Sequence, residues 1–183
     1  MNYMFSRIIE RIRGEQNLAK LVKRGLVVGA NFTRMSGVII DPSHCWHISI
    51  GDNVVLAPRV HILAHDASTR LFLSHTRVEN TKIGNNVFVG AGSIVLPGVS
   101  IGNNVVIGAG SIVTHDIPDD SVAVGNPAHV IKSLGRFIED NKKVISSDNV
   151  FDDKYTLRNP GFGPSERKEL LDACEKHGVI YVE

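Results

Sequence analysis

Two cysteines in 183 residues, Cys45 and Cys174, are too few for a disulfide framework and fit a reducing compartment. No apolar run approaches the ~20 residues of a membrane-spanning helix, and the first residues lack the uninterrupted apolar core of a secretory signal. Neither sign of charge dominates: 20 Lys and Arg stand against 19 Asp and Glu, a net of +1, which gives no strong pull toward nucleic acid. These absences predict a soluble, cytoplasmic chain, long enough for one repeat domain with appendages. The charge is nevertheless uneven. Residues 1–25 carry six basic residues (Arg7, Arg11, Arg13, Lys20, Lys23, Arg24) against Glu10 and Glu15, a net of +4, which leaves 14 basic against 17 acidic, a net of −3, in the rest.

What the chain does have is repetition. From Ile83 to Val113 an aliphatic residue recurs every six positions, at Ile83, Val89, Val95, Ile101, Ile107 and Val113. Glycine follows it at Gly84, Gly90, Gly102 and Gly108, and a small or β-branched residue sits four places on, at Val87, Ser93, Val99, Val105 and Ser111. A period of eighteen lies over the first: Ile83-Gly84-Asn85-Asn86-Val87 repeats as Ile101-Gly102-Asn103-Asn104-Val105. Three hexads per turn predict a coil with three flat faces, each coil stacking like residues on the next around one aliphatic column. Gly and Asn at the corners supply backbone angles that a β-branched residue adopts only at a cost. Most residues in such a repeat serve as scaffold.

The flanks are less regular. Residues 3–24 read as a helix, with Phe5, Ile8, Ile9 and Ile12 on one face and Leu18, Leu21 and Val22 continuing after Gly14. It suits a cap over the open end of the coil, or a basic amphipathic helix resting on an anionic membrane. Residues 26–66 are degenerate coils that keep the six-residue phase at Val38, His44, Ile50, Leu56 and Ile62. Then the phase breaks: residues 65–82, HDASTRLFLSHTRVENTK, show no hexad. A loop ejected from a regular solenoid points to function. Pro118 and Pro127 break the last coils. Residues 133–183 leave the repeat, with a short helix expected over Leu134 to Val144, irregular chain over Phe151 to Gly163, a helix over Pro164 to His177, and a short strand at Val179 to Val182. This tail either packs on the solenoid or forms a lid.

The hexads resemble the hexapeptide-repeat acyltransferases, clearly over about Ile50 to Lys132 and more weakly from Leu26. The resemblance implies a mainly β fold: a left-handed parallel β-helix over 26–132 with the loop 65–82 ejected, an N-terminal helical cap over 1–25, and a helical and irregular extension over 133–183. Among these proteins the HDAST-like start of the loop and the GNPA turn look like the acetyltransferases of bacterial surface-polysaccharide assembly, which implies transfer of acetyl from acetyl-CoA to a sugar or glycan hydroxyl. The basic N-terminal helix would then allow peripheral membrane contact. The family's general base is a His at the start of the ejected loop, which here is His65 in HILAHDAST. An alcohol attacks a thioester only as its proton is removed, and imidazole titrates where it can take that proton and later give it to the thiolate.

Asp66 is the expected orienting carboxylate or, equally, a residue that only turns the chain. Stacking by eighteen would put His47 one coil below His65. The Gly90-Ala91 corner is the expected oxyanion donor. In the resembling enzymes acetyl-CoA lies between subunits of a homotrimer, along small corner residues and then basic ones. Those positions are Ala91, Ala109, Thr114, His115, His129 and Lys132. Two of them depart from the family, since His115 stands for a Lys and His129 for a Lys or Arg, which weakens the grip on CoA phosphates. Asp41, His44 and Trp46, a polar and aromatic cluster on the coil before His65, are the acceptor candidates. Arg70, Phe72, His75 and Arg77 could reach a neighbouring subunit's site. No metal is expected. Two alternatives remain: a zinc lyase like the γ-class carbonic anhydrases, with His61, His65 and His75 as ligands, and a scaffold without catalysis.

Overall fold

The computed structural model describes residues 15–183. Of the helix expected over 3–24, the described portion is α1 (Leu18–Lys23), capped by the Asn17 side chain on the Lys20 N–H at 3.0 Å. The apolar face at Phe5, Ile8, Ile9 and Ile12, and the membrane contact read from it, lie outside the described residues. Among those described, no helix is long and apolar enough to cross a membrane.

Short strands stack into three parallel sheets. The first holds β1 (Val27–Val28), β4 (Ile48–Ile50), β9 (Thr81–Ile83) and β12 (Ser100–Ile101). The second holds β2 (Thr33–Arg34), β5 (Val55–Leu56), β10 (Val87–Val89), β13 (Val105–Ile107) and β15 (Ser121–Val124), and ends on β16 (His129–Ser133), which runs antiparallel. The third holds β3 (Ile39–Ile40), β6 (His61–Ile62), β11 (Ile94–Val95) and β14 (Ile112–Val113). The hexad residues form the core: Ile62, Val89, Val95, Ile107 and Val113 have no exposed surface. Each such side chain contributes about 1.5–3 kcal/mol relative to exposure.

The eighteen-residue period holds only where the sequence shows it. Val87 pairs with Val105 and Ile94 with Ile112, both eighteen apart. One coil earlier His61 pairs with Ile94, thirty-three apart, because the ejected loop intervenes. The coil before that is also long: Ile39 pairs with His61 and Val27 with Ser49, twenty-two apart. The extra residues there form the 3-10 turn Cys45–His47. His47 is therefore not stacked under His65. It sits at the corner leading into β4, with its Nδ1 2.7 Å from the Asn80 Oδ1.

The corner before the second sheet divides the labour that the sequence assigned jointly to Gly and Asn. Asn53, Asn86 and Asn104 take positive φ, and their side chains form a ladder from coil to coil at 2.9 Å, ending on Asp120. The glycines serve close approach instead: a Cβ on Gly84 would lie 2.6 Å from the Gly102 carbonyl oxygen. The outer surfaces differ. The first sheet presents Ser49, Lys82 and Ser100, whereas the second presents Thr33, Val55, Phe88 and Val106 and the third Ile39, His61, Ile94 and Ile112.

The ejected loop is an arm. β7 (His65–Asp66) runs antiparallel to β8 (Arg77–Val78), and α2 (Arg70–Leu73) lies between them. Thr81 anchors the return, its fully buried hydroxyl donating to the Leu63 carbonyl at 2.7 Å. Residues 135–183 form a second compact unit. It contains most of α3 (Leu134–Lys142), the parallel pair β17 (Val150–Phe151) and β18 (Tyr181–Val182), and α4 (Pro164–His177). Neither helix buries a residue completely. The unit is knitted around Asn149, whose amide donates to the Val144 carbonyl at 2.8 Å and accepts from the Ser146 N–H at 2.8 Å.

Candidate active site

Asp41 follows β3, at the corner where the third sheet ends, and is buried to 1% exposure. Its Asp-Pro-Ser-His sequence folds as a turn in which Oδ1 accepts the N–H groups of Ser43 at 2.9 Å and His44 at 3.1 Å. Oδ2 reaches the next coil, accepting the Ala64 N–H at 3.1 Å and the Nδ1–H of His65. Burial alone would push this carboxyl up. The hydrogen bonds from His65 and from the Ala64, Ser43 and His44 N–H groups outweigh burial and hold it below the ordinary carboxylate value. An ionised carboxylate only accepts, so Nδ1 of His65 carries the proton and Nε2 is left as the basic atom. The His65 side chain is 31% exposed, so that atom can meet a ligand.

Of the two roles expected for Asp66, its contacts match the turn and not the orienter. It is exposed and accepts the Ser68 N–H at 2.8 Å, and this bond, with the Ser68 side chain and the nearby Arg77, lowers its pKa. Asp66 turns the chain into the arm, and Asp41 holds the imidazole. The signal for Asp41 stood in the sequence as an Asp-Pro turn, but its partner is twenty-four residues away across a coil of irregular length.

His65 opens onto a cleft of about 370 Å³ lined by Leu63, His65, Asp66, Arg77, Glu79, Leu96, Pro97 and Thr114. Arg77 pairs with Glu79 at 2.7 and 2.9 Å. The donor-site candidates divide between corners. Thr114, with its hydroxyl 2.8 Å from the His115 Nδ1, lies on the corner that carries His65. Ala91 and Ala109 stack on the corner at the other end of β11 and β14, where the Gly110 N–H donates to the Ala91 carbonyl at 2.8 Å. At that corner the Gly90 N–H is already bonded to Ile107 at 2.8 Å, so Gly90 cannot serve as the oxyanion donor as it stands. His129 and Lys132 sit on β16, opposite Val124 and Val122 of β15.

Two of the acceptor candidates, Asp41 and His44, meet His65 from the coil below, and the third, Trp46, lies beyond His44. The His44 ring lies 4.7 Å from the His65 ring, and the Trp46 ring 5.5 Å from that of His44. Among the described residues one group of His, Cys, Asp or Glu donors converges closely enough to hold a metal: Asp41, His44 and His65, within 4.8 Å of one another. Neither His61 nor His75 belongs to it. Tetrahedral zinc at about 2.0–2.1 Å from each ligand needs free lone pairs, and those of Asp41 are all engaged by hydrogen-bond donors. The residues fit a hydrogen-bonded His–Asp pair better than a zinc centre.

The parallel coil of hexads is the fold of a transferase family, and the chain belongs to it: the hexapeptide-repeat transferases. The family described as bacterial transferase hexapeptide (six repeats) matches residues 80–115. Protein CapG of Staphylococcus aureus is 39% identical over 170 residues, covering 87% of this chain and 95% of that protein. A galactoside O-acetyltransferase of Escherichia coli is 40% identical over 111 residues, covering 58% of this chain and 53% of that one. Among solved structures, a maltose O-acetyltransferase from Clostridium difficile superimposes with a TM-score of 0.53 and 32% identity, over 71% of this chain and 84% of that one.

Proposed function

We propose that the protein is an acetyl-CoA-dependent O-acetyltransferase acting on a sugar hydroxyl in the cytoplasmic steps of bacterial surface-polysaccharide assembly, with His65 as general base. The observation that carries this is the His65 imidazole, held through Nδ1 by buried Asp41 and open at Nε2 to the cleft shared with Thr114. In the reaction Nε2 takes the acceptor hydroxyl proton as the oxygen attacks the thioester carbonyl. The tetrahedral oxyanion collapses, the C–S bond breaks, and the imidazolium returns its proton to the departing thiolate. Asp41 fixes the tautomer and pairs with the transient cation. The acetyl group leaves on the sugar oxygen, and CoA leaves as thiol.

The donor would lie between copies of the chain. Ala91 and Ala109 occupy a different corner from His65 and Thr114, so one chain presents two halves of a groove rather than a whole one. Two of the three outer faces are mainly apolar, at Phe88 and Ile39 among others, with His61 and Thr33 the polar members of their rows, which suits burial against neighbouring copies in a homotrimer. The Ala91 N–H would then act on the thioester bound at a neighbour's His65, and His115, His129 and Lys132 would meet the CoA phosphates.

A titration with acetyl-CoA tests the proposal. The melting temperature should rise with donor concentration, CoA thiol should appear when a galactoside or maltose is added, and light scattering should give a trimer. A monomer that neither responds to acetyl-CoA nor releases thiol would end this proposal.

A further inference from the structure

The coil beneath His65 is four residues longer than a regular one: twenty-two residues separate Ile39 from His61, against eighteen from Ile94 to Ile112. A solenoid that must only continue its stack needs no such insertion. The additional chain is spent on the turn Cys45–His47, which buries Cys45 completely and leaves Trp46 half exposed. Trp46 is the chain's single tryptophan. Its ring is tilted at 48° against that of His44, which lies against His65 in turn. His47 flanks the same ring at 5.9 Å. The Nδ1 of His44 is shut off from solvent and has no hydrogen-bond partner, which leaves Nε2 as the polar atom its ring can offer a ligand.

We propose that the Trp46 indole is the specificity platform of the acceptor site: it stacks on the C–H face of a pyranoside ring and so aims a hydroxyl at His65. The class of acceptor follows from the chemistry of the wall. An exposed indole rewards a flat apolar face, which a pyranose ring has and an open-chain polyol does not. The imidazoles of His44 and His47 beside it supply polar partners for ring hydroxyls. This rests on the acyl-transfer proposal for turnover, but binding to Trp46 does not depend on it.

The single tryptophan makes the test direct, since emission excited at the red edge, where the three tyrosines do not absorb, reports Trp46 alone. Methyl β-galactopyranoside should change that emission saturably, and sorbitol, matched in hydroxyl density, should not. In acetyl transfer, Trp46→Ala should raise the KM for the pyranoside about tenfold and leave the KM for acetyl-CoA unchanged, whereas Trp46→Phe should restore most of the loss. The preference for pyranoside over sorbitol should collapse in Trp46→Ala. Transfer to the pyranoside with no emission change, or an unaltered preference in Trp46→Ala, overturns the platform. Saturable emission change without any transfer keeps the platform and rejects acyl transfer, and silence in both assays rejects the two together.

Discussion

The coils of residues 82–117 and those of 26–66 are built on the same plan and differ in discipline. In the later pair the spacing is eighteen, Asn85 and Asn86 stack on Asn103 and Asn104, and every inward position is aliphatic or a satisfied serine such as Ser93, bonded to the Gly108 carbonyl at 2.9 Å. In the earlier pair the spacing is twenty-two and then thirty-three, and the inward-facing end of the third sheet carries a buried carboxylate. The base and its supports lie in what the earlier coils add: the Asp41 turn, the Cys45–His47 insertion and the arm that starts at His65; the regular coils supply the facing wall at Leu96, Pro97 and Thr114. Regularity supplies rigidity, and chemistry enters where the repeat is broken while its neighbours still hold it in place.

The largest effect that separates the two regions is expected at His65. His65→Ala should lower kcat/KM by about 10²–10⁴-fold, the usual contribution of a positioned general base, with acetyl-CoA binding by the folded protein nearly unchanged. Loss of donor binding instead would make His65 part of the donor site or of the fold. Asp41→Asn should follow, with turnover lowered on the order of 10²-fold, since the amide no longer fixes the Nδ1–H tautomer or pairs with the cation.

Asp41→Asn also has a stability signature with a defined sign. The folded state holds the Asp41 carboxyl below its ordinary value, so as pH falls the unfolded chain takes up the proton first. The stabilisation is complete above about pH 4 and is lost as pH drops through the folded value. Thermal melts of the two proteins should therefore differ most at neutral pH and converge in acid; a gap that widens in acid would mean that the carboxyl is not held as an anion.

In the regular coils the expected effect is on folding alone. Gly84→Ala puts a Cβ 2.6 Å from a backbone oxygen of the next coil, and neither coil can yield without breaking its ladder. It should cost about 1–3 kcal/mol, as overpacking does, read by denaturant unfolding, while activity per folded molecule stays the same. A drop in specific activity would mean that the scaffold and the site are less separable than their sequences are.

Much of this contrast was legible before the structure. The six-residue aliphatic period is a statement about which side chains face inward, and it named Ile83, Val89, Val95, Ile101, Ile107 and Val113, all buried. The start of the arm was visible because a period can be seen to stop. Register was not legible where coils change length. Extending the eighteen-residue spacing backwards placed His47 under His65, whereas the twenty-two-residue coil brings the Asp41 turn there. The separate roles of Asn and Gly at one corner were also hidden, because a left-handed φ and a close approach of coils leave the same pair of letters.

The smallest expected effect is the most diagnostic for the site. Asp66 is adjacent to His65 in sequence, and adjacency made it as good a candidate as any for orienting the base. In the structure successive residues of β7 point to opposite sides, and the Asp66 carboxylate turns back on the Ser68 N–H at 2.8 Å. Asp66→Asn keeps an oxygen that can accept that bond, so the turn into the arm survives. Turnover should change by no more than about twofold, within the few tenths of a kcal/mol expected for an exposed substitution. Compared side by side, Asp41→Asn and Asp66→Asn remove the same charge from two carboxylates near one imidazole. If Asp66→Asn proved the more damaging, the base would be oriented along the chain rather than across the coils, and the irregular coil beneath His65 would lose its catalytic purpose.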